Sequence, residues 1–72
     1  MNNQNVKKIL ADNIRLYRTK KRFSQEAIAE LASLGQNQIS EIENEHANPN
    51  LETIIKIAQA LDVQVAKLFV EY

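Results

Sequence analysis

Three features of this sequence predict an all-α fold. Its 72 residues hold one Gly and one Pro, too few to punctuate a chain of short strands and turns. They are rich in Leu, Ile, Ala, Glu, Lys and Gln, a helix-favouring composition. Apolar residues also recur at i, i+3 and i+4 in successive segments, the spacing of helices that bury one face. The expectation is a compact five-helix bundle forming a single domain over residues 1–72, with helices at about 6–20, 24–32, 36–44, 51–61 and 64–71.

Met1 to Asn5 is polar and expected to fray. Val6, Ile9, Leu10, Ile14 and Tyr17 mark the buried stripe of the first helix, and Leu16 falls off it. Ser24 can cap the second helix, with Phe23 and Ile28 at the two ends of a hydrophobic staple, although Ala27 denies a full capping box. Apolar positions follow at Ile28, Leu31, Ala32 and Leu34. In the third helix, stepping 100° per residue puts Ile39 and Ile42 on the buried side with Glu43 at its edge. Asn37, Ser40, Glu41 and Asn44 face the other way, and Gln36 projects from the first turn. The segment Glu45-His-Ala-Asn-Pro49 breaks the helix, and Asn50 caps a fourth helix with Leu51, Ile54, Ile55, Ala58 and Leu61 on one face. A fifth carries Val65, Leu68, Phe69 and Tyr72, with Val70 beside them.

Composition removes several function classes. Cys is absent and there is one His, so disulfides and thiolate metal sites are excluded and no metal is expected. No apolar run approaches the ~18 residues of a membrane span, and MNNQNVKK lacks the apolar segment of a signal peptide, so a cytoplasmic protein with no membrane partner is expected. No Gly-rich phosphate loop or nucleophile–His pairing appears. Glu41, Glu43 and Glu45 do not make a catalytic dyad, because Glu43 is directed inward. No enzyme activity, catalytic residue or cofactor is expected.

Net charge is zero, but its distribution is uneven. Residues 1–22 hold seven basic side chains (Lys7, Lys8, Arg15, Arg18, Lys20, Lys21, Arg22) and one acid, Asp12; the remainder holds two basic and eight acidic. A local positive patch attracts phosphate whatever the total. The run Arg18 to Arg22 also suits the negative end of the first helix, and the two readings are compatible.

Two short helices joined by a three- or four-residue turn have helix-turn-helix geometry, here at 24–44. The motifs around it are more specific. Ser24-Gln25-x-x-Ile28-Ala29, then Ile39-Ser40-x-Ile42-Glu43, then Asn48-Pro49-x-Leu51-x-x-Ile54 closely resemble the Cro and phage-repressor-type helix-turn-helix family, also called xenobiotic-response-element-type regulators. Ile14-Arg15-x-x-Arg18 upstream, and Ile57-Ala58-x-Ala60-Leu61-x-Val63 through Leu68-Phe69 downstream, fit the same pattern. The resemblance spans about residues 9–69 and implies a lambda-repressor-like bundle that binds double-stranded DNA as a homodimer and regulates transcription in bacteria or their phages. The sequence departs from the pattern at Ser33, a turn position usually Gly, at the Gly35 cap, at Glu45, commonly Gly, and at Glu41, commonly basic.

Carried over residue by residue, the resemblance makes Gln36 and Asn37 base readers, whose amides can bridge adenine N6 and N7 in the major groove. Glu41 either accepts from cytosine N4 or only repels phosphate. Gln38 and Ser40 are weaker candidates for base or sugar–phosphate contact. Gln25 resembles a phosphate clamp that also braces Gln36, and Asn44 matches a backbone-contact position. Lys20, Lys21 and Arg22 are the nonspecific phosphate contacts, with Arg15 a further candidate. Arg18 and Glu43 match an internal ion pair tying the first helix to the third. His46 reads as a solvated loop residue.

One recognition helix touches too few base pairs to find a site among ~10⁶ competing ones, so two copies on half-sites of a (pseudo)palindromic operator are expected. The dimerisation region is placed at about 57–72, where Phe69, Val70 and Tyr72, with Leu68 and Ile57, are too apolar for a free surface; Leu68 and Phe69 can instead complete the monomer core, the preferred reading for Leu68, while Val70 and Tyr72 are assigned to the dimer. No ligand-sensing segment follows Tyr72, so no small-molecule ligand is expected. The rival reading is a protein–protein interaction module, antitoxin-like or an adaptor, that keeps the fold with weak or no DNA binding. Zero net charge and a third helix without Lys or Arg favour it.

Overall fold

The computed structural model describes residues 3–72; Met1 and Asn2, part of the expected frayed tail, lie outside the described residues. Among the described residues there are four α-helices, α1 Asn3–Lys20, α2 Gln25–Leu31, α3 Gln36–Glu43 and α4 Leu51–Leu61, followed by a 3₁₀ helix, Val65–Phe69. The expected five α-helices are therefore four plus a 3₁₀ turn. The reason is a buried amide in α1. Asn13 Nδ2 donates to the carbonyls of both Leu68, at 2.9 Å, and Val70, at 2.8 Å. Val70 is drawn into extended backbone, and the five residues left cannot repay the nucleation cost of an α-helix. Replacing Asn13 with Ala leaves two carbonyls without donors and is expected to cost about 1–3 kcal/mol. Thermal melting checks this, and an unchanged midpoint would deny the amide its anchoring role.

At its N-terminus α1 is longer than expected, because Asn3 to Asn5 are helical. Periodicity reports which residues pack, and a polar first turn leaves no such mark. Elsewhere Ser24 is the cap of α2, its Oγ accepting from Ala27 N at 2.9 Å, and Asn50 Oδ1 caps α4 through Thr53 N at 2.8 Å. Gly35 caps α3 without a side chain; Gln38 Oε1 reaches back to accept from Gly35 N at 2.9 Å.

All four α-helices end in the same way. Arg22, Ser33, Glu45 and Asp62 follow their last turns with φ of 59°, 57°, 64° and 57°, and each is bracketed by the paired 6→1 and 5→2 hydrogen bonds of a Schellman motif. Phe23, Leu34 and Val63, the next residues after three of these ends, pack against the core. Left-handed backbone at a non-glycine residue costs roughly 1–2 kcal/mol, part of which glycine would return as chain entropy. Each of S33G, E45G and D62G is expected to add about 0.5–1 kcal/mol of stability, and R22G less, because it also removes a cation that favours the end of the α1 dipole. The largest gain is expected at Glu45: its carboxylate, like that of Asp62, opposes the helix dipole, and it lacks the short side chain that lets Asp tolerate left-handed backbone. Melting temperatures check the series; a uniform fall would show that the side chains hold these ends.

Ile14, Ile28, Ile39, Ile57, Leu61 and Leu68 are the largest fully buried side chains. This corrects the dimer assignment of Ile57 and decides that of Leu68 for the monomer core. Ile57 and Leu68 are both 0% exposed, so neither offers surface to a second copy. It also rotates α4: its buried face is Ile57, Ala58 and Leu61, while Leu51 is 65% and Ile55 37% exposed. Leu31, at the last residue of α2, is exposed as well. Phe69 is half-buried among Val6, Leu10, Pro49 and Ile54, whereas Val70 and Tyr72 line a different groove with Ile9 and Leu16. The expected dimer residues therefore do not form one patch.

Candidate nucleic-acid interface

The site is built around one buried carboxylate. Glu43, at the last residue of α3, is 3% exposed. Arg18 of α1 meets it in a fork, Nε donating to Oε2 at 2.7 Å and Nη2 to Oε1 at 2.9 Å. Gln25 Nε2, from the start of α2, donates to Oε1 at 3.1 Å. Arg18 Nη1 also donates to the carbonyl of Phe23 at 2.9 Å, tying in the link between α1 and α2. The hydrogen bond that Arg18 donates to Glu43, opposed by desolvation and aided by the carboxylate's charge, holds the guanidinium above the ordinary arginine value. Such a pair orients elements more than it stabilises them, since desolvation offsets much of the Coulomb gain.

This anchoring buries one side of α3 and leaves the other free. Ile39, Ile42 and Glu43 face inward; Gln36, Asn37, Gln38, Glu41 and Asn44 are exposed, and Ser40 is half-buried. The outward face carries amides, a hydroxyl and a carboxylate, and no cation. Asn37, Gln38 and Glu41 form one wall of a shallow groove whose other wall contains Asn48, Asn50 and Thr53. These three polar residues were not among the sequence candidates; their clustering around Pro49 was the available signal.

Several candidates are partly engaged within the protein. The carboxamide oxygen of Gln38 is held by the α3 cap, leaving its NH₂ group outward-facing chemistry. Asn44 Nδ2 approaches Ser40 Oγ at 3.4 Å. Gln25 was expected to brace Gln36, but its NH₂ group is bonded to Glu43 instead, because the buried carboxylate still has lone pairs to satisfy. His46 is an exposed loop residue, as expected, with its Nδ1 3.6 Å from Glu41 Oε2.

The cations before residue 23 divide into two sets. Lys8 lies 2.8 Å and Arg15 3.6 Å from Asp12, and Arg18 is committed to Glu43. The Asp12 carboxylate, hydrogen-bonded to Lys8, holds that ammonium above the usual lysine value. Lys20, Lys21 and Arg22 are exposed and have no carboxylate within ion-pair distance among the described residues. Lys20 Nζ sits 5.8 Å from the centre of the Tyr17 ring, within cation–π range. The Tyr17 hydroxyl is 3.3 Å from that of Tyr72, and this hydrogen bond, with some burial, raises the Tyr17 phenol above its ordinary value. Among the described residues no group of three or more His, Asp or Glu side chains is placed to hold a metal ion. No described helix is long and apolar enough to cross a membrane.

Residues 14–68 match the family model described as helix-turn-helix. The chain is 41% identical over 63 residues to control protein C.SmaI of Serratia marcescens, covering 88% of this chain and 75% of that one. The crystal structure of the hypothetical transcription factor NHTF from Neisseria superposes with a TM-score of 0.90 at 35% identity, covering 96% of this chain and 78% of that one. The restriction-modification controller protein C.AhdI from Aeromonas hydrophila superposes with a TM-score of 0.85 at 33% identity, covering 88% and 96% respectively.

Proposed function

The chain belongs to the helix-turn-helix family, and on that premise we propose that it binds double-stranded DNA as a homodimer, reads sequence through α3, and regulates transcription. The observation that carries this reading is the polar outward face of α3, held away from the core by the Glu43 anchor. The names of its relatives, a control protein, a transcription factor and a restriction-modification controller, support a regulatory role rather than an enzymatic one.

Gln36 and Asn37 are the principal base readers, with Glu41 discriminating by accepting from cytosine or by excluding phosphate. Gln38 contributes through its free NH₂ group, and Ser40, Gln25 and Asn44 flank the contact. Lys20, Lys21 and Arg22 supply attraction to the duplex, and α3 supplies discrimination. The second copy docks through the groove bearing Leu16, Val70 and Tyr72, which are 39%, 37% and 81% exposed. The two α3 helices of such a dimer then read half-sites about one DNA turn apart. Regulation then follows protein concentration through dimerisation.

Selection of bound sequences from a random duplex pool tests the reading. The expected result is a two-fold symmetric site with separated half-sites. No enrichment from any pool, with the protein folded, favours the protein-binding role instead.

A further inference from the structure

On the reading that α3 meets DNA, we infer that Arg15 is a positioning residue that sets the attitude of α3, and not a phosphate contact. Its Nη2 donates to the main-chain carbonyl of Glu43 at 2.6 Å. That carbonyl belongs to the last turn of α3, where intrahelical partners run out and the negative end of the dipole lies. Arg15 and Arg18 are three residues apart, hence neighbours on one side of α1. Arg18 grips the Glu43 side chain while Arg15 grips its backbone. Ile39 and Ile42 seat α3 in the core, and the side-chain pair reaches its last residue only through the rotatable χ angles of Glu43; a second anchor on the main chain fixes that end directly. Two fixed points on one residue define how the far end, with Gln36 and Asn37, is presented.

The surroundings of Arg15 support this role. Its Nη1 lies 3.6 Å from Asp12 and its Nε 3.8 Å from Glu43 Oε1. Asp12 is the sole acid before residue 23, and Lys8, Asp12 and Arg15 follow at i, i+4 and i+7 along one face of α1. Asp12 offsets one of that face's two cations, so it attracts phosphate more weakly than the three uncompensated cations Lys20, Lys21 and Arg22. A phosphate reaching Arg15 would have to displace a short hydrogen bond to an otherwise unpaired carbonyl. The sequence marks Arg15 only as a cation; its target is a backbone atom, which no residue pattern announces.

The test compares the wild-type chain with R15K and R15Q. Binding is measured by fluorescence anisotropy on a duplex selected by the wild type and on one with a mismatched half-site, at two salt concentrations. For positioning, R15K and R15Q both lose about tenfold or more of the preference for the selected duplex, the discrimination carried by one bidentate base contact. Affinity for mismatched DNA and the salt slope stay as in the wild type. R15K keeps the charge but not the planar fork, so a phosphate contact predicts near-normal binding for R15K. It also predicts, for R15Q, uniform weakening on both duplexes with a slope reduced by about 0.9 per protomer; that result overturns the proposal. So does a lowered melting temperature with the preference intact, which marks a structural role only. Should R15Q not fold, R15K alone decides between these outcomes. A wild-type chain that binds no duplex overturns the DNA-binding reading and the proposal with it, whereas wild-type binding with normal variants overturns the proposal alone.

Discussion

Glu43→Ala is expected to destabilise the protein by about 3 kcal/mol, the lower end of the range for breaking a buried ion pair. The substitution removes the acceptor of both Arg18 donors and of Gln25, leaving a cation whose side chain is only 18% exposed. The remaining bond from Arg18 to the Phe23 carbonyl and that residual exposure keep the cost from the top of the range. For a domain of this size ~1 kcal/mol shifts the melting temperature by about 4–8 °C, so a fall of roughly 12–24 °C is expected. Glu43→Gln, which keeps an acceptor oxygen, should lose less. An unchanged melting temperature in Glu43→Ala would remove the anchor on which the presentation of α3 depends.

The second large effect is on recognition. Gln36→Ala and Asn37→Ala should leave stability within about 0.5 kcal/mol, since both side chains are exposed. Each bidentate amide–adenine contact is worth about 1–3 kcal/mol of discrimination. A symmetric dimer uses each residue twice, so either substitution should weaken the selected duplex by about 2–6 kcal/mol, roughly 30-fold to 10⁴-fold. Affinity for unrelated duplex should not change, because phosphate attraction resides elsewhere. Competition titration against the two duplexes checks this. Equal affinity of wild type and variants for the selected site would move readout off the first turn of α3.

The outward face of α3 was legible in the sequence because its apolar residues are few: Ile39 and Ile42 fix the buried side, and a 100° step assigns the rest. The caps at Ser24 and Asn50 were legible for the same local reason, a short polar side chain ahead of an apolar run. In α4 the same logic failed. Leu51, Ile54, Ile55, Ile57, Ala58 and Leu61 spread over an arc of about 160°, wider than the face that packs, so periodicity alone could not choose its centre, and packing against α2, α1 and the 3₁₀ turn chose Ile57. Asn13 reads in sequence as a gap in an apolar stripe. Its importance comes from two carbonyls 55 and 57 residues away, which only the fold brings near. That amide also explains why the last element is a 3₁₀ turn rather than a helix. The charge asymmetry before residue 23 was visible, but its division was not: Lys8, Arg15 and Arg18 are engaged by Asp12 and Glu43, leaving Lys20, Lys21 and Arg22 to face solvent.

That division carries the central claim, that α3 discriminates while the exposed cations attract, and the salt dependence of duplex binding tests it most directly. Neutralising phosphates releases counterions, so log K falls with log salt by about 0.9 for each phosphate contacted. Three cations in each of two protomers predict a slope of about −5, measured by anisotropy on a selected duplex across a range of salt concentrations. A steep linear fall of that order, reduced when Lys20, Lys21 and Arg22 are replaced by Gln, is the expected result. A flat dependence, or no binding to any duplex by the folded protein, would contradict it.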